Sequence, residues 1–410
     1  MSELITDIGE LTTQDEDRSR LHKAAIVIAD GRVAWIGRSA DAPAADIRTS
    51  VAGRAVLPGW VDSHSHLVFA GLRDAEFEAR MAGRRYEAGG IAATVAATRA
   101  ASEESLLTTA TALRREAELE GTTFLETKTG YGLDLESEVC SARVAAAVAD
   151  TVSFLGAHVV PPGVDRRDYI DLVTGPMLSA VAPYAQWIDA FCEIGAFDLE
   201  ESREVLCAGR AAGLGLRLHG NQLGHSGGVG LAVELGCASV DHCNHLTDHD
   251  IDALASSSTV ATLLPACDLS TREPLAPARR LLDAGASIAL ASNCNPGSSY
   301  TTSMPFCVAT AVLQMGLSVD EAVWAATRGG AMALGRDTGA DAVGSIQVGL
   351  HADLQVLDAP SVVHLAYRPG VPLTAAVWRR GVRSRRGGGL DASGGPDASG
   401  GLDASGAPDA

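Results

Sequence analysis

Eight short apolar runs, each set apart from the next by a stretch of helical character, constrain this chain more than any other feature. In order they are "WVDSHSH" (60–66), "TTFLETKTG" (122–130), "VSFLGAH" (152–158), "WIDAFCE" (187–193), "LRLHGN" (216–221), "SVDHC" (239–243), "VATLLP" (260–265) and "SIALASN" (287–293). Segments such as "SREVLCAGRAAG" and "PARRLLDAGA" fall between them. Short apolar strands alternating with helices are the pattern of parallel α/β architecture. Eight such units predict a (β/α)8 TIM barrel over residues 58–344, and a barrel of this kind carries its chemistry at the C-terminal ends of its strands.

The flanks read differently. Near the N-terminus "AAIVIADGRVAWIG" is strand-like, with a hairpin turn at Asp30-Gly31. From residue 345 the pattern returns in "GSIQVGLHADLQVLDAP" and "LTAAVWRRGV". The two ends, 1–57 and 345–383, predict one small β-sandwich domain assembled from both termini. Residues 384–410 run into near-repeats of Asp-Ala-Ser-Gly with almost nothing apolar to bury, and a disordered low-complexity tail is expected there.

A formal net charge of −19 argues against a nucleic-acid partner, which requires a basic surface. No run approaches the roughly 18 apolar residues of a membrane span, and the acidic N-terminus "MSELITDIGELTTQDEDR" lacks the apolar core of a signal peptide. The eight cysteines are scattered without a CxxC pair, which predicts free thiols in a reducing compartment. The expectation is a cytoplasmic protein that acts on a small molecule, with neither nucleic acid nor membrane as partner.

Polar residues gather where a barrel would use them. The first run closes with His64-Ser65-His66, the third with His158, the fifth with His219 and the sixth with His242, so five of the 11 histidines fall at strand ends. Alternation along a strand sends His64 and His66 to the same side, and such a pair is a ready metal clamp. Three histidines with a carboxylate form a usual mononuclear set for zinc or iron. His225, His245 and His249 lie in helical or loop sequence and are expected at the surface.

With these residues the chain resembles the amidohydrolase superfamily and, within it, the imidazolonepropionase family. The stretches that carry the likeness are "PGWVDSHSHLVFAGLRDAEFEARMAG", "ETKTGYGLDLESE", "FLGAHVVPP", "LHGNQ", "DHCNHL", "NPGSS" and "HLAYRPGVP". His-x-His marks only the superfamily; the Arg73 segment, "KTGYGLDLE" and "GAHVVPP" together single out the family. The resemblance implies hydrolysis of the cyclic amide of 4-imidazolone-5-propanoate to N-formimidoyl-L-glutamate, in a homodimer with one divalent or trivalent metal ion, zinc or iron, per subunit. It implies His64, His66 and His219 as metal ligands. Arg73, Tyr131, His158 and Gln222 match substrate-binding positions, and Asn295, Gly297 and Ser298 match the loop that holds the product. His242 matches the strand-six histidine that assists water or the oxyanion, with Gln222 beside the reacting ring.

The residues support parts of this on their own. A propionate needs a cationic anchor, and Arg73 offers a bidentate fork. Tyr131 and His158 are expected to donate further hydrogen bonds. Of two charged residues near strand ends, Glu193 stands on the strand where two-metal relatives carry a bridging ligand and Lys128 does not; Glu193 is expected behind the ligands. The departure is Asn293, which occupies the position of the family's fourth ligand, an Asp. An amide oxygen binds a metal weakly and accepts no proton near neutral pH. Three readings follow: a hydrolase of reduced activity, a catalytically impaired homologue that binds substrate or product, or another cyclic amidohydrolase or deaminase on the same barrel.

Overall fold

The computed structural model describes residues 1–15, 20–83 and 90–384. The tail expected from residue 384 lies, from 385 onward, outside the described residues. Both ends of the chain meet in one sheet. From the N-terminal side come β1 (Ser2–Thr12), β2 (Arg20–Ala29), β3 (Arg32–Arg38), β4 (Ile47–Ser50) and β5 (Ala55–Pro58). The Asp30-Gly31 turn links β2 to β3 with φ values of 51° and 76°, the left-handed pair that matches strand twist in a tight hairpin.

Eight parallel strands follow: β6 (Trp60–Asp62), β7 (Thr122–Lys128), β8 (Thr151–Ala157), β9 (Trp187–Cys192), β10 (Gly215–Gly220), β11 (Ser239–His242), β12 (Val260–Leu263) and β13 (Ile288–Leu290). Each pairs with its sequence neighbour, so the order around the sheet is the order along the chain. Their residues are almost all buried, as expected where helices cover the outer face and side chains fill the inner one. Asp198 with Glu201 and Thr247 with Asp250 form capping boxes that start the covering helices Leu199–Ala211 and Asp248–Ala255.

The first and last strands are shorter than the apolar runs foretold, because their C-terminal residues leave the regular ladder. Beyond β6 and β13 the chain stays in contact through a parallel bridge between Ser65 and Cys294. Asn293 N–H donates to the His64 carbonyl at 2.9 Å and His66 N–H to the Cys294 carbonyl at 2.8 Å. The barrel therefore closes through the residues singled out as candidate ligands.

The C-terminal strands β14 (Leu354–Leu357), β15 (Thr374–Arg379) and β16 (Val382–Ser384) return to the terminal sheet. Its order is β16-β15-β14-β5-β1-β2-β3, with β4 also on β1, so the expected sandwich is hydrogen-bonded as a single eight-stranded sheet. Ile5, Ile8, Ile26, Val56, Leu354, Val356 and Trp378 form its own core. The Trp378 indole is fully buried and its Nε1–H donates to Glu3 Oε2 at 2.9 Å, joining the last strands to the first. All eight cysteines are unpaired thiols. Among the described residues no helix is long and apolar enough to cross a membrane.

Truncating Trp378 removes a large buried ring and the bond between the termini. Trp378→Ala is expected to cost about 3–5 kcal/mol, read as a fall in the urea midpoint of unfolding; a loss under about 1 kcal/mol would place the ring outside the load of the core.

Candidate metal centre and active site

His64 follows β6 and its Nδ1–H donates to Asp241 Oδ2 on β11 at 2.6 Å. His219, on β10, does the same to Asp189 Oδ1 on β9 at 3.1 Å. A carboxylate only accepts, so both imidazoles are held in the tautomer whose Nε2 carries a lone pair. His64 Nε2 faces His66 Nε2 at 3.2 Å, and the ring centroids of His64 and His219 are 4.6 Å apart. Burial first, and neighbouring charge second, hold the His64, His66 and His242 rings well below the ordinary imidazole range. They are neutral at neutral pH and keep their lone pairs.

Several of these polar atoms have no hydrogen-bond partner. His66 Nδ1, His242 Nδ1 and Asn293 Oδ1 are all buried and unsatisfied, which costs on the order of 1–3 kcal/mol each if nothing else binds them. The donor atoms of His64, His219 and His242 lie within 4.8 Å of one another. Neutral nitrogens and an amide oxygen converging in a buried place fit a cation of the zinc or iron class. His242 stands as close to this cluster as the sequence-expected members, while His66 joins it through His64.

The backbone aims these side chains. His242 (φ 83°), Cys243 (φ 59°), Asn221 (φ 56°) and Asn293 (φ 53°) all take the left-handed conformation just where strands end. Such positions are costly for most residues and collect at functional sites; Asn and Asp tolerate them best. After Asn293, the Asn295 Oδ1 accepts the N–H groups of Gly297 and Ser298, both at 2.8 Å, and its Nδ2 donates to Ser298 Oγ at 2.8 Å. Asn293 Nδ2 reaches the same Oγ at 3.4 Å.

One cavity gathers most of the sequence-expected residues in its wall: His66, Arg73, Tyr131, His158, His219, Gln222, His242, Asn293, Asn295 and Ser298. His64 sits behind that wall, fully buried. Gly297 lies against Arg73 so closely that a Cβ there would collide with the guanidinium. The Arg73 fork is engaged by Glu76, with Nε–Oε2 at 2.8 Å and Nη2–Oε1 at 2.6 Å.

Two expectations change. His158 Nδ1 donates to the Gly130 carbonyl at 2.9 Å, and burial pushes its ring down to about 4. The neutral ring then offers an acceptor at Nε2 and not the expected donor. Glu193 touches no histidine of the cluster. Its Oε2 accepts the N–H groups of Gln222 (2.7 Å) and Leu223 (3.0 Å), so it braces the loop that presents Gln222. His225 and His249 are exposed, and His245 pairs with Glu273 at 3.3 Å.

Beneath the histidines lies a group of buried charges of which sequence reasoning noted only Lys128, without its partners. Lys128 Nζ is 2.9 Å from Asp189, 3.0 Å from Glu126 and 3.6 Å from Asp241, and Arg217 is 3.0 Å from Asp241. All five are fully buried. Burial raises Asp189 and Asp241, but His219 with Lys128 and Arg217 with His64 outweigh it and hold both carboxyls below the ordinary range. The available signal was a charge inside an apolar strand, as in "LETK", "WIDAF" and "SVDH", since such residues are almost never buried unless paired.

The sequence of this chain matches the amidohydrolase family over residues 207–382. It is 66% identical over 385 residues to the imidazolonepropionase of Saccharopolyspora erythraea, covering 93% of this chain and 98% of that protein. With the imidazolonepropionase of Arthrobacter sp. (strain FB24) it shares 62% over 400 residues, 94% of this chain and all of that one. With that of Streptomyces coelicolor it shares 58% over 390 residues, 93% and 99% of the two chains. Among solved structures, a triazine hydrolase variant superposes with a TM-score of 0.74 at 19% identity, covering 93% and 94% of the two chains. A zinc-bound adenosine deaminase from Xanthomonas campestris gives 0.71 at 19% identity, covering 93% and 92%. Those two likenesses speak for the fold alone.

Asp268, beside the site, supplies a pH test. Burial pushes its carboxyl up to about 7 from an ordinary value of 3.8, against hydrogen bonds from Asn244 and the Ala276 N–H. Between those two values the folded chain holds a proton that the unfolded chain has lost, so this group makes stability fall as pH rises. The stability difference between the parent and Asp268→Asn is therefore expected to shift against the parent by roughly a few kcal/mol from about pH 4 to pH 7 and to level off above. Urea unfolding across that range checks it; a constant difference would show Asp268 ionised at ordinary pH.

Proposed function

The chain belongs to the imidazolonepropionase family of the amidohydrolases, and from that premise we propose how its buried histidine cluster is used. The reaction is the metal-dependent hydrolysis of the ring amide of 4-imidazolone-5-propanoate to N-formimidoyl-L-glutamate, a step of histidine degradation. In this reading His64, His66 and His219 hold one zinc or iron ion, with the Asn293 amide oxygen as a weak fourth donor. The observation that carries it is the convergence of imidazoles and the unsatisfied Asn293 Oδ1 in the lining of a cavity that Arg73 also lines.

When bound, the ion supplies Lewis acidity toward the ring carbonyl and acidifies water. The protein residues do the rest. Arg73 receives the propionate, which exchanges with the Glu76 carboxylate that occupies its fork here. His158 presents Nε2 as an acceptor, and a substrate carboxylate beside it would favour the protonated ring, which then donates. Gln222, braced by Glu193, offers an amide to the ring. Asn295 and Ser298 form a polar loop toward the open-chain product. His242 is neutral and faces the cluster, so it would take the proton of the attacking water, stabilise developing charge at the carbonyl oxygen as the protonated ring, and return that proton to the ring nitrogen as the C–N bond breaks.

Asn293 limits this arrangement. Its amide cannot accept a proton, so the role an aspartate would fill falls to His242, whose burial makes it a weak base. Loss of a general base costs roughly 10²- to 10⁴-fold in rate. Asn293→Asp is expected to raise kcat by about that factor and to tighten metal binding, measured by turnover of imidazolonepropionate and by chelator competition. Equal turnover and metal content in both forms would refute the role given to Asn293. An inert Asp form would refute the site assignment. Substrate affinity without turnover in the parent, recovered by the Asp form, would identify the parent as a binding protein.

The anchor has its own test. Arg73→Met is expected to raise KM by about 10- to 100-fold, and Arg73→Lys to recover little of this because an ammonium lacks the planar fork. Unchanged KM in Arg73→Met would remove it from the substrate site.

A further inference from the structure

Lys128 is one of only two lysines in the chain and is fully buried. It ends β7, the second strand of the barrel, whereas Asp189 and Asp241 stand on β9 and β11, the fourth and sixth. Side chains from alternate strands share a layer in a barrel interior, so these three lie in one layer. His64 and His219 come from the first and fifth strands and belong to the other set.

The bonds connect the layers. Asp189 accepts His219 Nδ1–H on Oδ1 at 3.1 Å, and its Oδ2 forms an ion pair with Lys128 Nζ at 2.9 Å. Asp241 Oδ2 accepts His64 Nδ1–H at 2.6 Å and Arg217 at 3.0 Å, and forms an ion pair with Lys128 Nζ at 3.6 Å. Glu126 Oε1 holds the ammonium from the third side at 3.0 Å. A single cation thus stands between the two carboxylates that orient the two imidazoles. Burial alone would push the ammonium down, but Asp189, Glu126 and Asp241 outweigh it.

We infer that Lys128 is a positioning residue that couples His64 to His219: by bridging Asp189 and Asp241 it sets the orientation of both rings at once, so that their Nε2 atoms aim at one point. The inference rests on the reading that these histidines hold the metal. Lys128 itself lines no part of the substrate cavity. Without the bridge the two carboxylates repel each other across a buried layer, and each is free to turn with its own histidine. Groups that orient metal-binding histidines typically contribute 10- to 100-fold in metal affinity.

The test uses the full-length protein and two variants. Lys128→Met removes the bridge but leaves a buried charge unbalanced. Lys128→Met/Glu126→Gln removes one charge of each sign and leaves both aspartates in place, which protects folding. The first measurement is proton NMR of the metal-free protein with labelled histidine, following the Nδ1–H signals of His64 and His219. The second is Zn²⁺ and Co²⁺ affinity by chelator competition, with the Co²⁺ visible spectrum as a report of ligand geometry.

In both variants the two Nδ1–H signals are expected to move together, Zn²⁺ to bind about 10- to 100-fold more weakly, and the Co²⁺ spectrum to change. A merely structural lysine would lower thermal stability while leaving both signals and the metal affinity of the double variant at parent values; that result overturns the inference. Movement of one signal without the other also overturns it, because the coupling is the claim. If the parent itself binds neither ion, the metal-ligand reading fails, whereas paired movement of the signals in metal-free protein still upholds the coupling.

Discussion

The closure of the barrel is the constraint on which the rest of the site depends. β6 and β13 are only three residues long each, and the sheet is completed by backbone bonds among His64, His66, Asn293 and Cys294. Closing the fold and converging the histidines are therefore one event. No rearrangement of loops is required to bring the first and eighth strands of the barrel to the same point, since the hydrogen bonds that fix one fix the other. This also explains how an asparagine is accommodated at position 293: its place is held by its N–H to His64 and by a left-handed backbone that Asn and Asp both tolerate. The fold fixes where the side chain is; only its chemistry depends on which residue stands there.

What the sequence revealed follows the same division. Strand-end histidines were legible because period-two alternation and the eight-unit pattern both assign them to the barrel mouth. That both termini contribute strands to one β unit was legible from two strand-rich flanks, whereas their pairing as a single sheet and not a sandwich was not. The contacts of Lys128 with Asp189 and Asp241 were not legible, because those carboxylates lie on other strands, 61 and 113 residues along the chain, and only the sheet brings them together. A lone charge in an apolar strand signals that a partner exists without naming it. The Arg73–Glu76 pair was hidden for a different reason: spacing of three on a helix permits contact, but only the packed loop shows that the fork is filled. His158 turned from donor to acceptor on one backbone carbonyl, Gly130, whose position no pattern in the residues encodes.

The buried charges also bear on what Asn293 does. Glu126, Asp189 and Asp241 carry three negative charges, and Lys128 with Arg217 carries two positive ones, a net of −1 beneath the histidines. In the proposed reading a divalent ion above that layer would bring the sum to +1, where an aspartate at 293 would have brought it to zero. The asparagine form therefore keeps one more unit of positive potential in the cavity than the aspartate form would. In a buried site that potential is screened little. It favours an anionic substrate and an anionic oxygen at the carbonyl, while it opposes protonation of His242, the remaining proton acceptor. In the reading proposed above, Asn293 thus favours an anionic substrate and charge at the carbonyl oxygen while it disfavours proton transfer to His242.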